Sequence, residues 1–292
     1  MKQHSALDWL IPIIAILTII ITGVGLFSQG GDGPFQFTTV HGNAVEIYGK
    51  GPYRHDSSFV ATLLRGTDAI TLFLSLPLLL VSYWFHRRSS LRGSIFMIGM
   101  LMYSLYIGAT YTFSVFFNSL FLVYTALFSA SLFALIIALG TFDAQALASK
   151  VTSNMPHRGI AILLFVAGFG TLFLWISELV NPLTTGQAPA NLGPYTTMFT
   201  HGFDSAIITP ATVIAGYYIL KRKPLGYLLA APLLILCTNM GIVVLSQTIS
   251  QAMAGIILPI GVYIGMVGSW IVMGTFAVGL VISFFRNISE NA

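Results

Sequence analysis

The residues able to do chemistry in this chain are few, and most lie where an apolar run begins or ends. Asp68 and Asp204 each stand two residues after a glycine, in Arg65-Gly66-Thr67-Asp68 and His201-Gly202-Phe203-Asp204, and each opens an apolar run. Two carboxylates so placed can bind a cation or relay protons, because acidic groups at membrane depth are costly and mark pathways. The same placement suits helix capping, since aspartate favours the N-cap and first turn and complements the helix dipole. Both readings stay open. Arg65 and His201 belong to the same two segments, and Glu178 closes another apolar run just after Trp175. Glu178 reads either as an interfacial residue beside an aromatic anchor or as part of the same polar cavity.

Histidine and carboxylate together suit zinc or a similar metal. The candidates are His41, His55, His201 and Asp204, but they come from separate segments and form no dense ligand motif such as His-Glu-x-x-His. Loop packing accounts for them equally. Asn239 lies inside an apolar run beside Thr238 and Cys237. It is a ligand-binding candidate or an interhelical hydrogen bond. Tyr103, Tyr106, Tyr111, Tyr124 and Phe128 make two runs aromatic, either lining a pocket or packing helices together. Cys237 is the one cysteine, so no intramolecular disulfide or dithiol site exists. Walker A, dinucleotide and Gly-x-Ser-x-Gly motifs are absent, which excludes a carrier driven by its own ATPase domain and leaves the cofactor unknown.

What must position these groups follows from composition. The chain has 292 residues, of which 56% are hydrophobic and only 8% charged, with a mean hydropathy of +0.86. Soluble domains carry about 25% charged residues, so lipid is the fitting solvent. A helix needs about 20 apolar residues to span the hydrocarbon. Eight runs qualify, roughly 9–27, 68–85, 94–115, 119–140, 160–179, 204–220, 225–246 and 260–285. They lack period-2 alternation and are therefore helices. The first is too long for a signal h-region and is read as retained.

Ten of the thirteen Lys and Arg fall on the side that holds Lys2, Arg87, Arg88, Lys150, Lys221 and Arg286. The positive-inside rule places that side, and both termini, in the cytoplasm. The net charge of +4 is thereby explained by span flanks, without nucleic acid. The first outer loop, 28–67, predicts a β-hairpin from Phe35–Val40 and Ala44–Tyr48 about a His41-Gly42-Asn43 turn, then a short helix from Asp56-Ser57 through Leu64. The second, Val180 to His201, reads as irregular. Phe142 to His157 reads as a short surface helix on the inner side.

The expected fold is all-α: a polytopic transmembrane bundle of about eight spans, one integral membrane domain over 1–292, with a small hairpin cap. The halves 1–140 and 158–292 share a plan of one span, a long outer loop and three more spans, which defines a candidate 4+4 parallel repeat. Arg65-Gly66-x-Asp68 through Ser89-x-Leu91-Arg92-Gly93 to Asn118-x-Leu120-Phe121-Leu122, with Phe203-Asp204 and Lys221-Arg222-Lys223-Pro224-Leu225-Gly226-Tyr227, resembles a class of bacterial multi-span integral membrane proteins. The likeness covers spans two to four and six to seven. It implies no activity, cofactor or site.

Three functions stay open. A transporter of a small solute or ion in the bacterial cytoplasmic membrane would use Asp68, Asp204, His201, Glu178, Arg65 and Asn239 as its polar site. A sensory or assembly subunit would meet a membrane protein partner through its outer cap. A membrane-embedded hydrolase-type enzyme would work at an outer His/Asp site.

Overall fold

The computed structural model describes residues 5–290. Lys2, which the charge count places inside, lies outside the described residues. Among those described, eight helices are long and apolar enough to cross a membrane. They are α1 (Ser5–Phe27), α2 (Ser58–Arg87), α3 (Leu91–Ser114), α4 (Phe121–Gly140), α6 (His157–Thr185), α7 (Phe199–Leu220), α8 (Pro224–Met253) and α9 (Ile260–Arg286). Between α4 and α6 lies the short α5 (Ala144–Ser149), capped by Asp143, whose carboxylate accepts from the Gln145 and Ala146 amides. The bundle thus has two ends, called here the hairpin end and the basic end.

The hairpin is as the sequence predicts. β1 (Phe35–Thr38) pairs antiparallel with β2 (Ala44–Ile47), Phe35 opposite Ile47 and Thr38 opposite Ala44. Thr39 N–H donates to Asn43 O at 2.9 Å and closes the turn. Beyond the hairpin, the expected pair of separate helices is one. Ser57 accepts from Val60 N–H and caps a helix that continues unbroken to Arg87. Likewise α6 runs on to Thr185 and α7 begins at Phe199, so the second long loop is shorter than the sequence reading had it. Apolarity marks only the part of a helix that faces lipid, and these helices extend past it.

Consequently Asp68 and Asp204 cap nothing. Asp68 lies ten residues into α2, and Asp204 five residues into α7. The capping reading is overturned at both positions by helix turns that precede the carboxylates.

Both helices are also wound irregularly. Thr71–Ser75 in α2 and Asp204–Ile208 in α7 form π-turns, closed by Leu76 N–H to Thr71 O and Thr209 N–H to Asp204 O. In each case a proline stands two residues past the turn, Pro77 and Pro210. A proline ring collides with the carbonyl four residues back and offers no N–H. Widening the preceding turn relieves the collision, and such bulges recur at functional sites. A third π-turn, Tyr263–Val267, lies in α9 with no proline following it.

Helices α3 and α8 are the most enclosed spans, with 72% and 67% of their apolar windows buried. The others present bulky apolar side chains outward, such as Ile16 and Ile20 on α1, Phe173 on α6 and Phe276 on α9. Exposed surface of that kind is suited to lipid. At the basic end the chain is tied together. Val151 bridges Ile288, the Arg92 guanidinium donates to Ile288 O at 2.7 Å, and Ser90 Oγ donates to Glu290 at 2.7 Å.

Close approach of α2 and α8 depends on Gly66. A Cβ there would lie 2.6 Å from Gln247 Cα and 2.7 Å from Ser246 O. Ser246 Oγ donates to Gly66 O across this contact. The matching glycine of the second segment, Gly202, faces open space. Gly66→Ala is therefore expected to lower stability by about 1–3 kcal/mol through overpacking. Gly202→Ala is expected to be neutral or stabilising, by up to about 1 kcal/mol. Thermal unfolding in detergent, followed by circular dichroism, reads both; equal midpoints for the two variants would contradict the packing described.

Candidate functional site

The two aspartates sit at the hairpin end, each held by neutral donors. Asp68 is fully buried. Tyr111 Oη, from α3, donates to its Oδ1 at 2.5 Å, and Tyr53 Oη, from the loop before α2, donates to Oδ2 at 2.8 Å. Space for the carboxylate comes from Gly25 of α1, where a Cβ would lie 2.0 Å from Oδ2. Arg65, one turn earlier on α2, donates instead to Gly25 O at 3.0 Å. Asp204 accepts from Tyr106 Oη of α3 at 3.1 Å and from Trp175 Nε1 of α6 at 3.1 Å. Among the described residues neither aspartate makes an ion pair.

Sequence reading took Tyr106 and Tyr111 as packing or pocket aromatics. They are the donors that α3 offers to the two acids. Five residues separate them, about 7.5 Å along the helix, so Asp204 lies deeper than Asp68. The two carboxylates share a helix but no hydrogen-bonding partner. Energetically each is close to balance. Two hydrogen bonds to a charged group contribute about 3–6 kcal/mol, against an effective desolvation penalty of several kcal/mol. A group so placed can change charge when a nearby contact changes.

Around Asp204 the structure gathers two further candidates. The His201 ring lies 4.0 Å from that of Trp175, centroid to centroid, and His201 Nε2 meets Glu178 Oε2 at 3.0 Å. Asp204, Trp175, His201 and Glu178 thus form one line running from the bundle interior to the surface of the hairpin end. A cavity of about 20 Å³ adjoins Asp204 and Tyr106 and reaches past Thr171 and Thr212 to Cys237. It is large enough for about one water.

The remaining candidates lie apart. Asn239 accepts from Ser75 Oγ at 3.0 Å and donates to Ile235 O at 2.9 Å, an interhelical tie between α2 and α8. Thr71 and Tyr103 form a similar tie at 2.7 Å. His41 and His55 are exposed on the hairpin turn and the following loop. Among the described residues no three His, Cys, Asp or Glu side chains come together to hold a metal.

A third buried carboxyl lies away from Asp68 and Asp204. Asp56, fully buried, accepts from Phe116 N–H at 3.2 Å and from Tyr195 Oη at 3.0 Å. Tyr195 in turn accepts from Ser57 N–H at 3.3 Å, so this carboxyl locks the first long loop to the second. Asp56 Oδ2 has no partner among the described residues. The sequence offers no signal for this tie, because its partners lie 60 and 139 residues away.

Comparison of the chain with protein-family models, with curated proteins and with solved structures finds no match. Of the resemblance described above, the structure supports the coarser half, the eight helices.

Burial pushes the Asp56 carboxyl from 3.8 up to about 7, outweighing the lowering by the Phe116 amide and the Tyr195 hydroxyl. The folded chain therefore keeps a proton that the unfolded chain has lost, and stability falls as pH rises through that window. Asp56→Asn is expected to remove this slope. Unfolding midpoints at about pH 5 and about pH 8 measure it; a variant that keeps the wild-type slope would place the titrating group elsewhere.

Proposed function

We propose that this multi-pass helical protein is a carrier for a small solute or ion, coupled to proton or cation binding at Asp204, with Asp68 as the second carboxylate of the site. The observation that carries the reading is a carboxylate embedded in a span and met only by neutral donors, at the first residue of a π-turn. Protonating Asp204 removes the charge that Trp175 and Tyr106 stabilise and weakens both bonds. That frees the start of the widened turn to re-register. The adjoining cavity gives the group a water-sized space that continues between α6, α7 and α8.

Pairing of α2 with α7 supports the reading. Each carries a buried aspartate and a π-turn ahead of a proline, with the aspartate three residues before the turn in α2 and at its first residue in α7. The reading takes the basic end as cytoplasmic in a bacterial-type plasma membrane, on the charge asymmetry of the loops. His201 and Glu178 then form the outer approach to Asp204, and Arg65 sets the field near Asp68.

A second reading rests on a separate observation. The Asp56–Tyr195 tie makes the two long loops one rigid cap, which is the surface a sensory or assembly subunit would offer a membrane protein partner.

Infrared difference spectroscopy of the reconstituted protein between acid and neutral pH tests the coupling group without knowing the solute. A protonated-carboxyl band is expected that is lost in Asp204→Asn. Proteoliposomes on a solid-supported membrane, screened with small solutes under a pH gradient, test transport. Solute-evoked currents are expected, reduced at least about tenfold in Asp204→Asn, since the variant removes the charge-coupled step. An unchanged carboxyl band in the variant, with no current for any solute, would turn the assignment to the cap-based reading.

A further inference from the structure

The basic end holds a cavity of about 420 Å³ that the carboxylate site does not use. Its polar lining comes from three places: His86 at the end of α2, Ser89 and Ser94 beside the α2–α3 turn, and Asp143 and Lys150 flanking α5. Leu147, on the buried face of α5, closes it below.

Hydrogen bonds fix what each group presents. The Ser94 hydroxyl donates its one hydrogen to Ser90 O at 2.8 Å. At 2.9 Å from His86 Nδ1 the same oxygen can then only accept, so Nδ1 carries the ring proton. His86 Nε2 is left as an acceptor. Among the described residues it has no hydrogen-bond partner, and it is not one of the sealed, unpartnered atoms of the interior. The His86 side chain is part of the cavity lining. Asp143 spends Oδ1 on the two capping amides, and its other oxygen is uncommitted. Lys150 and Asp143 are not ion-paired with each other or with another described residue. They cap opposite ends of α5, seven residues apart.

The cavity lining therefore offers an anionic oxygen, an imidazole acceptor, an ammonium and the Ser89 hydroxyl. A simple anion would meet Asp143 and an unprotonated ring nitrogen. A simple cation would meet Lys150. A ligand with a charge of each sign satisfies all four. We propose that this cavity binds a small zwitterion with a primary ammonium and an anionic group: the ammonium donates to Asp143 Oδ2 and His86 Nε2, and the anionic group accepts from Lys150 and Ser89. Two sources share this chemistry, the phosphoethanolamine headgroup of a lipid and a soluble amino-acid-like zwitterion. The site lies at the opposite end of the bundle from Asp204 and does not depend on the carrier reading.

The experiment measures how fast diethyl pyrocarbonate modifies His86 in the intact chain, by peptide mass spectrometry. One arm uses nanodiscs of phosphatidylethanolamine, phosphatidylglycerol or phosphatidylcholine. The other uses detergent-solubilised protein with free O-phosphoethanolamine or glycine, backed by calorimetry. Protection by phosphatidylethanolamine nanodiscs alone identifies the lipid source, and saturable protection by a free zwitterion identifies the soluble one. Either supports the proposal. Lys150→Gln and Asp143→Asn are expected to weaken binding roughly tenfold each by removing one charge-assisted contact. Asparagine caps as well as aspartate, so Asp143→Asn keeps α5 in place and reports on charge alone. Equal protection by phosphatidylglycerol, which lacks the ammonium, would overturn the proposal. So would equal protection by phosphatidylcholine, protection by no probe, or wild-type binding in both variants.

Discussion

A carboxylate inside a membrane-crossing helix holds its place only if donors meet it there, and this constraint organises the hairpin end of the protein. Helix α3 meets it twice, with Tyr111 for Asp68 and Tyr106 for Asp204. That a single helix must touch both α2 and α7 explains why α3 is the most enclosed span. The neighbours then conform. Gly25 withholds a side chain so that Asp68 fits, Trp175 turns its indole nitrogen to Asp204, and Tyr53 brings the loop before α2 down onto the bundle. Removing either tyrosine hydroxyl leaves a buried acid with one donor, and the cost falls on packing that three helices share.

Much of this architecture is legible in the sequence, because lipid asks for long apolar runs and two β-prone stretches about a His-Gly-Asn turn mark the hairpin. Helix ends are not legible to the same degree. Hydropathy reports where a helix meets lipid, whereas Ser57 and Phe199 start helices that the apolar signal enters only later. That displacement turned two interior aspartates into apparent caps. The grouping of Glu178, His201 and Asp204 could be anticipated from their common side of the membrane. Their link through Trp175 could not, since an indole beside an interface reads as an anchor. Asp56 and Tyr195 were invisible as a pair because nothing local distinguishes a loop tyrosine that caps a distant acid from one that faces water.

The likeness of α2 and α7 is specific in backbone and loose in surroundings. Both widen by one residue before a proline. Yet Gly66 lets a neighbouring backbone approach while Gly202 faces open space, and Asp68 is enclosed by two phenols while Asp204 adjoins a water-sized cavity. Both helices pack against the enclosed α8, and what differs is local: Gly66 of α2 meets the α8 backbone at Ser246 and Gln247, whereas Gly202 of α7 meets no neighbour. One backbone plan thus gives one locked acid and one acid with room to change its contacts.

The tie between Asp56 and Tyr195 also bears on how the chain is made. Domains assemble from the N-terminus during synthesis at about 5–20 residues per second. Tyr195 follows Asp56 by 139 residues, so on the order of ten seconds pass in which the first loop has been delivered but its acid lacks the tyrosine. Over that interval Asp56 has no tyrosine hydroxyl to meet it, although the hairpin can pair through its own backbone. Only the arrival of the second loop supplies the tyrosine, which makes closure of the cap a later step of biogenesis than delivery of the first five spans.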